Sequence, residues 1–263
     1  MRLARLVSAA GPRNVVWREG RWDGVVDLFA AEPTFTGETF EPDAALLAPV
    51  QPRVIVGMSH NSGAEGRALP PQAFLKSVRT AVGPGDPVML DPARGSIVAE
   101  GELAIVMGRF ARRLTAEQAL GAVLGYTVAN DVTAVDQVAF DDKLTQAKNG
   151  DGFTPLGPWI ETELDPWSCG ITVEVGGRIA AAANTDALAY DVVEQLVYLT
   201  SIMTLGPGDI VLTGSPDTSA PVASGDRVGI TIDGIGTLQN PVLLHDSVPL
   251  HDSAQAHPGG AQR

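Results

Sequence analysis

Apolar positions along this chain come in short bursts bounded by glycine, proline and aspartate, the pattern of strands joined by tight turns. In the first fifty residues, "RLARLVSAAG" and "NVVWREGRWDGVVDL" set valines and tryptophans around glycine-centred turns. That pattern predicts a small β unit over residues 1–50. After the loop "LLAPVQPR", the run "VIVGM" (Val54 to Met58) opens the main domain, residues 51–245. "GPGDPVML", "GPGDIVLTG" and "SGDRVGITI" each place Gly-Asp in a turn directly before an apolar, β-branched run, so each marks the start of a strand. Two segments carry helix signals instead. Thr115 and Gln118 form a capping box ahead of "ALGAVL". Asp191 with Glu194 forms a second ahead of "VVEQLVYLTSIM", a helix that Gly206-Pro207 is expected to stop. Residues 246–263 are polar, punctuated by glycine and proline and without period, and read as a disordered tail. Many strands and few helices give an α+β, mainly β fold class.

Composition narrows the functional classes. Hydrophobic residues make up 44% and charged residues 19% of 263, enough apolar material for a sizeable core in one large domain. The net charge of −13 disfavours nucleic acid, whose phosphates recruit lysine and arginine stripes, and an anionic membrane surface equally. No apolar run reaches membrane-span length, and "MRLARLVSAAGPRN" lacks the apolar stretch and processing site of a secretory leader. Cys169, the single cysteine, permits no internal disulfide and fits a reducing compartment, so a cytoplasmic location is expected.

Candidate chemistry begins at "IVAEGELAIVMG", where Glu100 and Glu102 stand one residue apart at the mouth of an apolar run. Residues i and i+2 of a strand share a face, so the two carboxylates lie side by side. Burying such a pair is costly unless something neutralises it, and a divalent cation with oxygen ligands does so. A solvated strand end is the competing reading. "GYTVAND" has strand character and delivers a third acid, Asp131, whose alternative role is to cap a turn.

These residues also carry a family resemblance. "AEGELAIVMG", "GYTVANDVTAVD", "AKNGDGFTPLGPW" and "TLGPGDIVLTGSP" occur in this order between about Val54 and Val242. Together they resemble the fumarylacetoacetate hydrolase family, in its C-terminal catalytic domain. The resemblance implies a mixed β-sandwich roll, a homodimer, and Mg²⁺ or Mn²⁺ (Ca²⁺ as a substitute) held by Glu100, Glu102 and Asp131. It implies a small 2-oxo acid or 1,3-dicarbonyl substrate, cleaved by C–C bond hydrolysis or decarboxylated through a chelated enolate. Keto–enol isomerisation or hydration of the same substrates is the alternative, and a catalytically silent metal-binding scaffold another. Lys148 matches the family's lysine beside the metal, where an ammonium would stabilise a developing oxyanion. In "VLTGSPDTS", the backbone N–H groups of Thr213, Gly214 and Ser215 are placed to cradle a substrate carboxylate. Phe153, in the rigid loop "GDGFTPLGPW", is placed to line the pocket.

The match weakens in "VGMSHNSGAEGRALPPQAFLKS". Family members carry a histidine and, three residues on, a glutamate that activates water. Here Glu65 is kept, Ser62 stands three residues before it, and His60 lies nearby. Of four histidines, three fall at or beyond position 245, which makes His60 the candidate imidazole and Glu65 the candidate base. Val135 occupies the position of a substrate-facing arginine, and Gln137 lies one place early for the family's glutamine. Losing that guanidinium predicts a less anionic or differently shaped substrate than a typical dicarboxylate. Phosphoryl transfer is ranked low, because no phosphate-cradling glycine loop precedes a helix.

Overall fold

The computed structural model describes residues 1–245; the segment 246–263, read above as a disordered tail, lies outside the described residues. Two sheets form the frame, one of thirteen strands and one of five. The strand Ile97–Met107 lies near the middle of the large sheet, between Val123–Asn130 and Ile210–Leu212. Beyond Ile210–Leu212 come Ile55–Ser59 and then, at that edge, Gln72–Lys76. On the other side Val123–Asn130 pairs with Thr154–Glu161. That strand in turn carries an antiparallel meander of Arg2–Leu6, Arg13–Arg18, Arg21–Val25 and Phe35–Phe40, so the first four strands extend the large sheet. The second sheet contains Gly170–Val175, Arg227–Ile232 and Gly236–Leu244.

The central strand explains why its sequence is continuously apolar. Leu103, Ile105 and Met107 pack into the core that also holds Val173, Ile230 and Leu196, while Ala104 and Val106 pack on the other face with Leu3, Ile55 and Ile160. A strand buried on both faces has no polar side to show. The mixed, mainly β architecture agrees with the predicted fold class.

Both capping boxes form. Gln118 Oε1 accepts from Thr115 N at 3.1 Å, ahead of one short turn, Ala116–Ala119. Asp191 and Glu194 cap Val192–Ile202 reciprocally, at 2.8 and 3.1 Å. The second helix ends earlier than Gly206-Pro207 predicts. Met203 is already extended, because Leu205 exchanges both backbone hydrogen bonds with Ala111 and draws the chain into a bridge. Gly206-Pro207 instead forms the turn that launches Ile210–Leu212, closed by Gly206 N donating to Asp209 at 2.7 Å.

Candidate active site

The central strand changes partners halfway along. Its C-terminal half pairs with Val123–Asn130 and Ile210–Leu212; its N-terminal half pairs with Thr133–Ala134 and Ser219–Val222. Glu100 and Glu102 sit at that changeover. Gly101 between them faces the second sheet, where a Cβ would stand 2.7 Å from Val173 Cγ2. The glycine therefore lets the sheets close while both glutamates point the other way, as the i, i+2 spacing predicts. Asp131 leaves the ladder at the same point: Asn130 still pairs with Gly101, and Asp131 N donates to the carbonyl of Glu100 at 2.9 Å. Three carboxylates from two neighbouring segments are thus delivered to one place, with Asp131 and Glu102 only 1–2% exposed.

Two lysines meet them. Lys148 ends a one-turn helix, Thr145–Lys148, and its Nζ donates to Asp131 Oδ2 at 2.5 Å and to Glu100 Oε2 at 2.8 Å. Thr133 Oγ1 donates to that same Glu100 oxygen at 2.6 Å. Lys76, which the sequence reading passed over, donates from Nζ to Asp131 Oδ1 at 2.5 Å and to the Phe153 carbonyl at 2.6 Å. Its signal was faint: in "QAFLK" the buried residues are Phe74 and Lys76, a strand alternation that puts the lysine in phase with an aromatic ring. Phe74 is seated over Gly57, whose Cβ would fall 2.3 Å from the ring, and the ring lies 4.9 Å from Lys148 Nζ.

The electrostatics follow from this crowding. Burial works against ionised Asp131, but Lys148 and Lys76 outweigh it and hold the carboxyl below its ordinary range. Burial also opposes charge on Lys148, yet Asp131, Glu100 and Glu102 together hold its ammonium above the usual value. Lys76 is pushed down, chiefly by its burial and further by Lys148, against the attraction of Asp131. Glu102 is the frustrated member. Burial and then the charge of Asp131 push it well up, with one backbone donor, Gly214 N at 2.8 Å, on its Oε2. Counted with every group ionised, three carboxylates against two ammonium groups leave a formal charge of −1, and burial disfavours the ionised forms of Glu102 and Lys76 most.

That donor set suits a hard divalent cation, which would discharge Glu102 as no residue present does. Among the described residues, however, no three acid, histidine or cysteine side chains stand as a ready-made metal cage. The Lys148 ammonium is lodged between Glu100 and Asp131. A cation binding to all three acids has to move it from at least one of them.

The remaining candidates fall elsewhere or act differently from expectation. His60 is exposed, in the left-handed region at φ 54°, and it is Asn61 that turns inward, donating to the Thr213 carbonyl at 2.7 Å. Glu65 is exposed on the short helix Gly63–Arg67. Arg67 docks that helix on Glu194 at 2.8 Å and on the Tyr190 ring, so among the described residues neither His60 nor Glu65 makes a hydrogen bond or ion pair with the three acids or two lysines. Two of the three N–H groups of the expected carboxylate cradle, those of Thr213 and Gly214, are engaged within the protein. Gly214 N donates to Glu102, while Thr213 N and Oγ1 both donate to the Leu103 carbonyl. Ser215 Oγ pairs with Thr218 Oγ1 at 2.8 Å. Phe153 contributes its carbonyl and not its ring, which is fully buried and packed on Gly150. Gln137 donates to the Arg94 carbonyl, a structural role, and Cys169 is buried, its thiol pushed up chiefly by that burial.

A mixed two-sheet fold with a buried carboxylate–lysine cluster where its central strand changes partners defines an enzyme-like class. The chain belongs to the fumarylacetoacetate hydrolase family: residues 53–243 match the family profile described as fumarylacetoacetate (FAA) hydrolase C-terminal. It is 32% identical over 278 residues to the mitochondrial oxaloacetate tautomerase FAHD2A of Bos taurus, covering 89% of this chain and 88% of that one. The crystal structure of 5-carboxymethyl-2-hydroxymuconate delta-isomerase from Mycobacterium smegmatis superposes with a TM-score of 0.87 at 37% identity, over 93% of this chain and 100% of the other. Maleylpyruvate hydrolase from Sphingobium sp. SYK-6, in complex with manganese(II) and pyruvate, gives a TM-score of 0.77 at 28% identity, over 93% and 99%. The family thus spans tautomerase, isomerase and hydrolase chemistry.

Proposed function

We propose that this chain is a divalent-metal-assisted keto–enol isomerase of small 2-oxo acids, with oxaloacetate the first substrate to test. One observation carries the choice of reaction: the amine side chains that touch the buried acids are Lys76 and Lys148, whereas His60 and Glu65 lie at the surface. Glu100, Glu102 and Asp131 would hold Mg²⁺ or Mn²⁺. The bound ion would supply Lewis-acid polarisation of the substrate's oxygens. Tautomerisation moves one proton: the C–H bond next to the carbonyl breaks, its electron pair forms the C=C bond, and the carbonyl oxygen gains a proton. Lys148, with its ammonium directed at the acid cluster, donates a hydrogen bond where negative charge develops on that oxygen. Asp131 orients both lysines through its two oxygens, so that Lys76, whose ammonium form burial disfavours, can take the carbon-bound proton as the free amine while Lys148 stays charged.

C–C bond hydrolysis is the second reading, favoured by the fold shared with the maleylpyruvate hydrolase. It requires an activated water, with Glu65 and His60 as the candidate bases on the segment after Ile55–Ser59. The two readings separate in one assay, in which oxaloacetate enol and acylpyruvates are incubated with Mn²⁺ and products are followed by ultraviolet absorbance and NMR. Isomerase action removes enol absorbance without forming pyruvate, falls roughly 10²–10⁴-fold in Lys76→Met or Lys148→Met, and stays within about twofold in His60→Ala. Cleavage products, or turnover lost with His60→Ala, would replace the isomerase with the hydrolase. Tight Mn²⁺ binding with no turnover on any substrate would favour the silent scaffold. A homodimer belongs to the same reading and is checked by sedimentation.

A further inference from the structure

Away from these acids, one guanidinium is placed in a way the isomerase reading does not use. Arg5 lies on Arg2–Leu6, whose Ala4 and Leu6 point into the core beside Trp22. Arg5 turns to the opposite face, toward the connection that follows the N-terminal meander, and is half-buried there. Its protein hydrogen bond is a single one, from Nη1 to the Ala48 carbonyl at 3.1 Å. Among the described residues no acid lies within ion-pair distance of it. Exposed Arg21 and Arg67 are paired with Asp23 and Glu194, whereas half-buried Arg94 is held by two backbone carbonyls and Arg5 by one. Burial lowers the Arg5 guanidinium with no acid to offset it. A half-buried guanidinium has lost part of its hydration, and an anion bound beside it offsets that loss.

Space for that anion is present. A crevice of about 540 Å³ opens beside Arg5, walled by Leu47, Val50, Val78 and Val82, with Arg79 at its edge. Its acid, Asp86, is engaged by Gly83 N at 2.8 Å. A second hollow of about 220 Å³, lined by Phe29 and Pro207, shares Arg5, Val50 and Gln51 with the first. The larger volume is within the range of small-molecule sites, and an apolar wall with a few convergent charges is their usual lining. We infer that this crevice, between the N-terminal meander and the segment after Lys76, binds a small amphipathic anion. Its carboxylate or phosphate engages the fork of Arg5, with Arg79 at the rim, and its apolar body lies on Leu47, Val50, Val78 and Val82. Arg presents paired donors that match either head group.

The test is calorimetry and saturation-transfer NMR on the full chain with octanoate, octyl phosphate, octan-1-ol and inorganic phosphate. Octanoate or octyl phosphate is expected to bind, the tighter of the two identifying the head group, with octan-1-ol and inorganic phosphate each at least about 10-fold weaker. Arg5→Met is expected to weaken binding at least about 10-fold, the loss of a charge-assisted hydrogen bond, and Arg79→Ala severalfold. Lys148→Met is expected to bind the probes as the wild type does, because the crevice is separate from the acid cluster. If Arg5→Met does not fold, Arg79→Ala and the octan-1-ol comparison carry the test. Equal binding of octan-1-ol, binding unchanged in the arginine variants, or binding lost in Lys148→Met would overturn the inference. So would failure of every probe to bind; a dimer that then dissociates in Arg5→Met would assign the crevice to a second copy of the chain.

Discussion

Replacing Lys148 by methionine separates what this lysine does for the resting protein from what it does to a metal. Its Nζ holds Asp131 at 2.5 Å and Glu100 at 2.8 Å, with the side chain only 9% exposed. Removing one partner of a buried ion pair leaves the other charge uncompensated, at a cost of about 3–5 kcal/mol. For a chain of 263 residues that corresponds to a fall in Tm of roughly 10 °C without metal. Metal affinity moves the other way. The wild-type Lys148 ammonium sits on two ligand oxygens and must leave one of them before an ion can bind; the variant site has one positive charge fewer and no such barrier. A unit charge a few ångströms away contributes up to a few kcal/mol at an effective dielectric of about 20, so Mn²⁺ binding should tighten by about 10-fold or more. Differential scanning calorimetry of the metal-free protein and isothermal titration with Mn²⁺ read the two effects on the same sample. Unchanged metal-free stability together with unchanged or weaker Mn²⁺ binding would refute the picture of Lys148 occupying the place of the cation.

Glu102→Gln keeps an oxygen for Gly214 N while removing the charge that burial and Asp131 disfavour. The metal-free protein should therefore gain about 1 kcal/mol, while Mn²⁺ affinity should drop beyond the roughly 10–100-fold cost of losing an outer-shell partner; thermal unfolding and calorimetric titration check both. Gly101→Ala drives a Cβ against Val173 and Ile230 of the second sheet, so the denaturation midpoint should fall by the equivalent of about 1–3 kcal/mol. Metal binding should weaken with it, because both neighbouring glutamates shift. Asp191→Ala removes the side chain that accepts from Glu194 N and should cost about 1 kcal/mol in urea unfolding, with Mn²⁺ affinity unchanged.

The chain's own sequence determined most of what is local. Gly-Asp turns before β-branched runs marked strands at Val88–Leu90, Ile210–Leu212 and Arg227–Ile232, and the Asp191–Glu194 box marked the start of its helix, because turn and cap chemistry act within a few residues. The shared face of Glu100 and Glu102 was legible from strand period alone, and ordered motifs were enough to reach the family. What stayed hidden depends on contacts between distant segments. Lys76 looks like an ordinary exposed lysine until Gln72–Lys76 becomes the strand next to Ile55–Ser59 and carries its side chain 55 positions along the sequence to Asp131. The N–H of Gly214 looked free for a substrate until the fold placed Glu102 against it, and His60 looked like a base until Asn61 took the inward position and turned it to solvent. Periodicity and turn residues encode which way a side chain leaves its own strand, and only the packed sheets decide which charge it meets there.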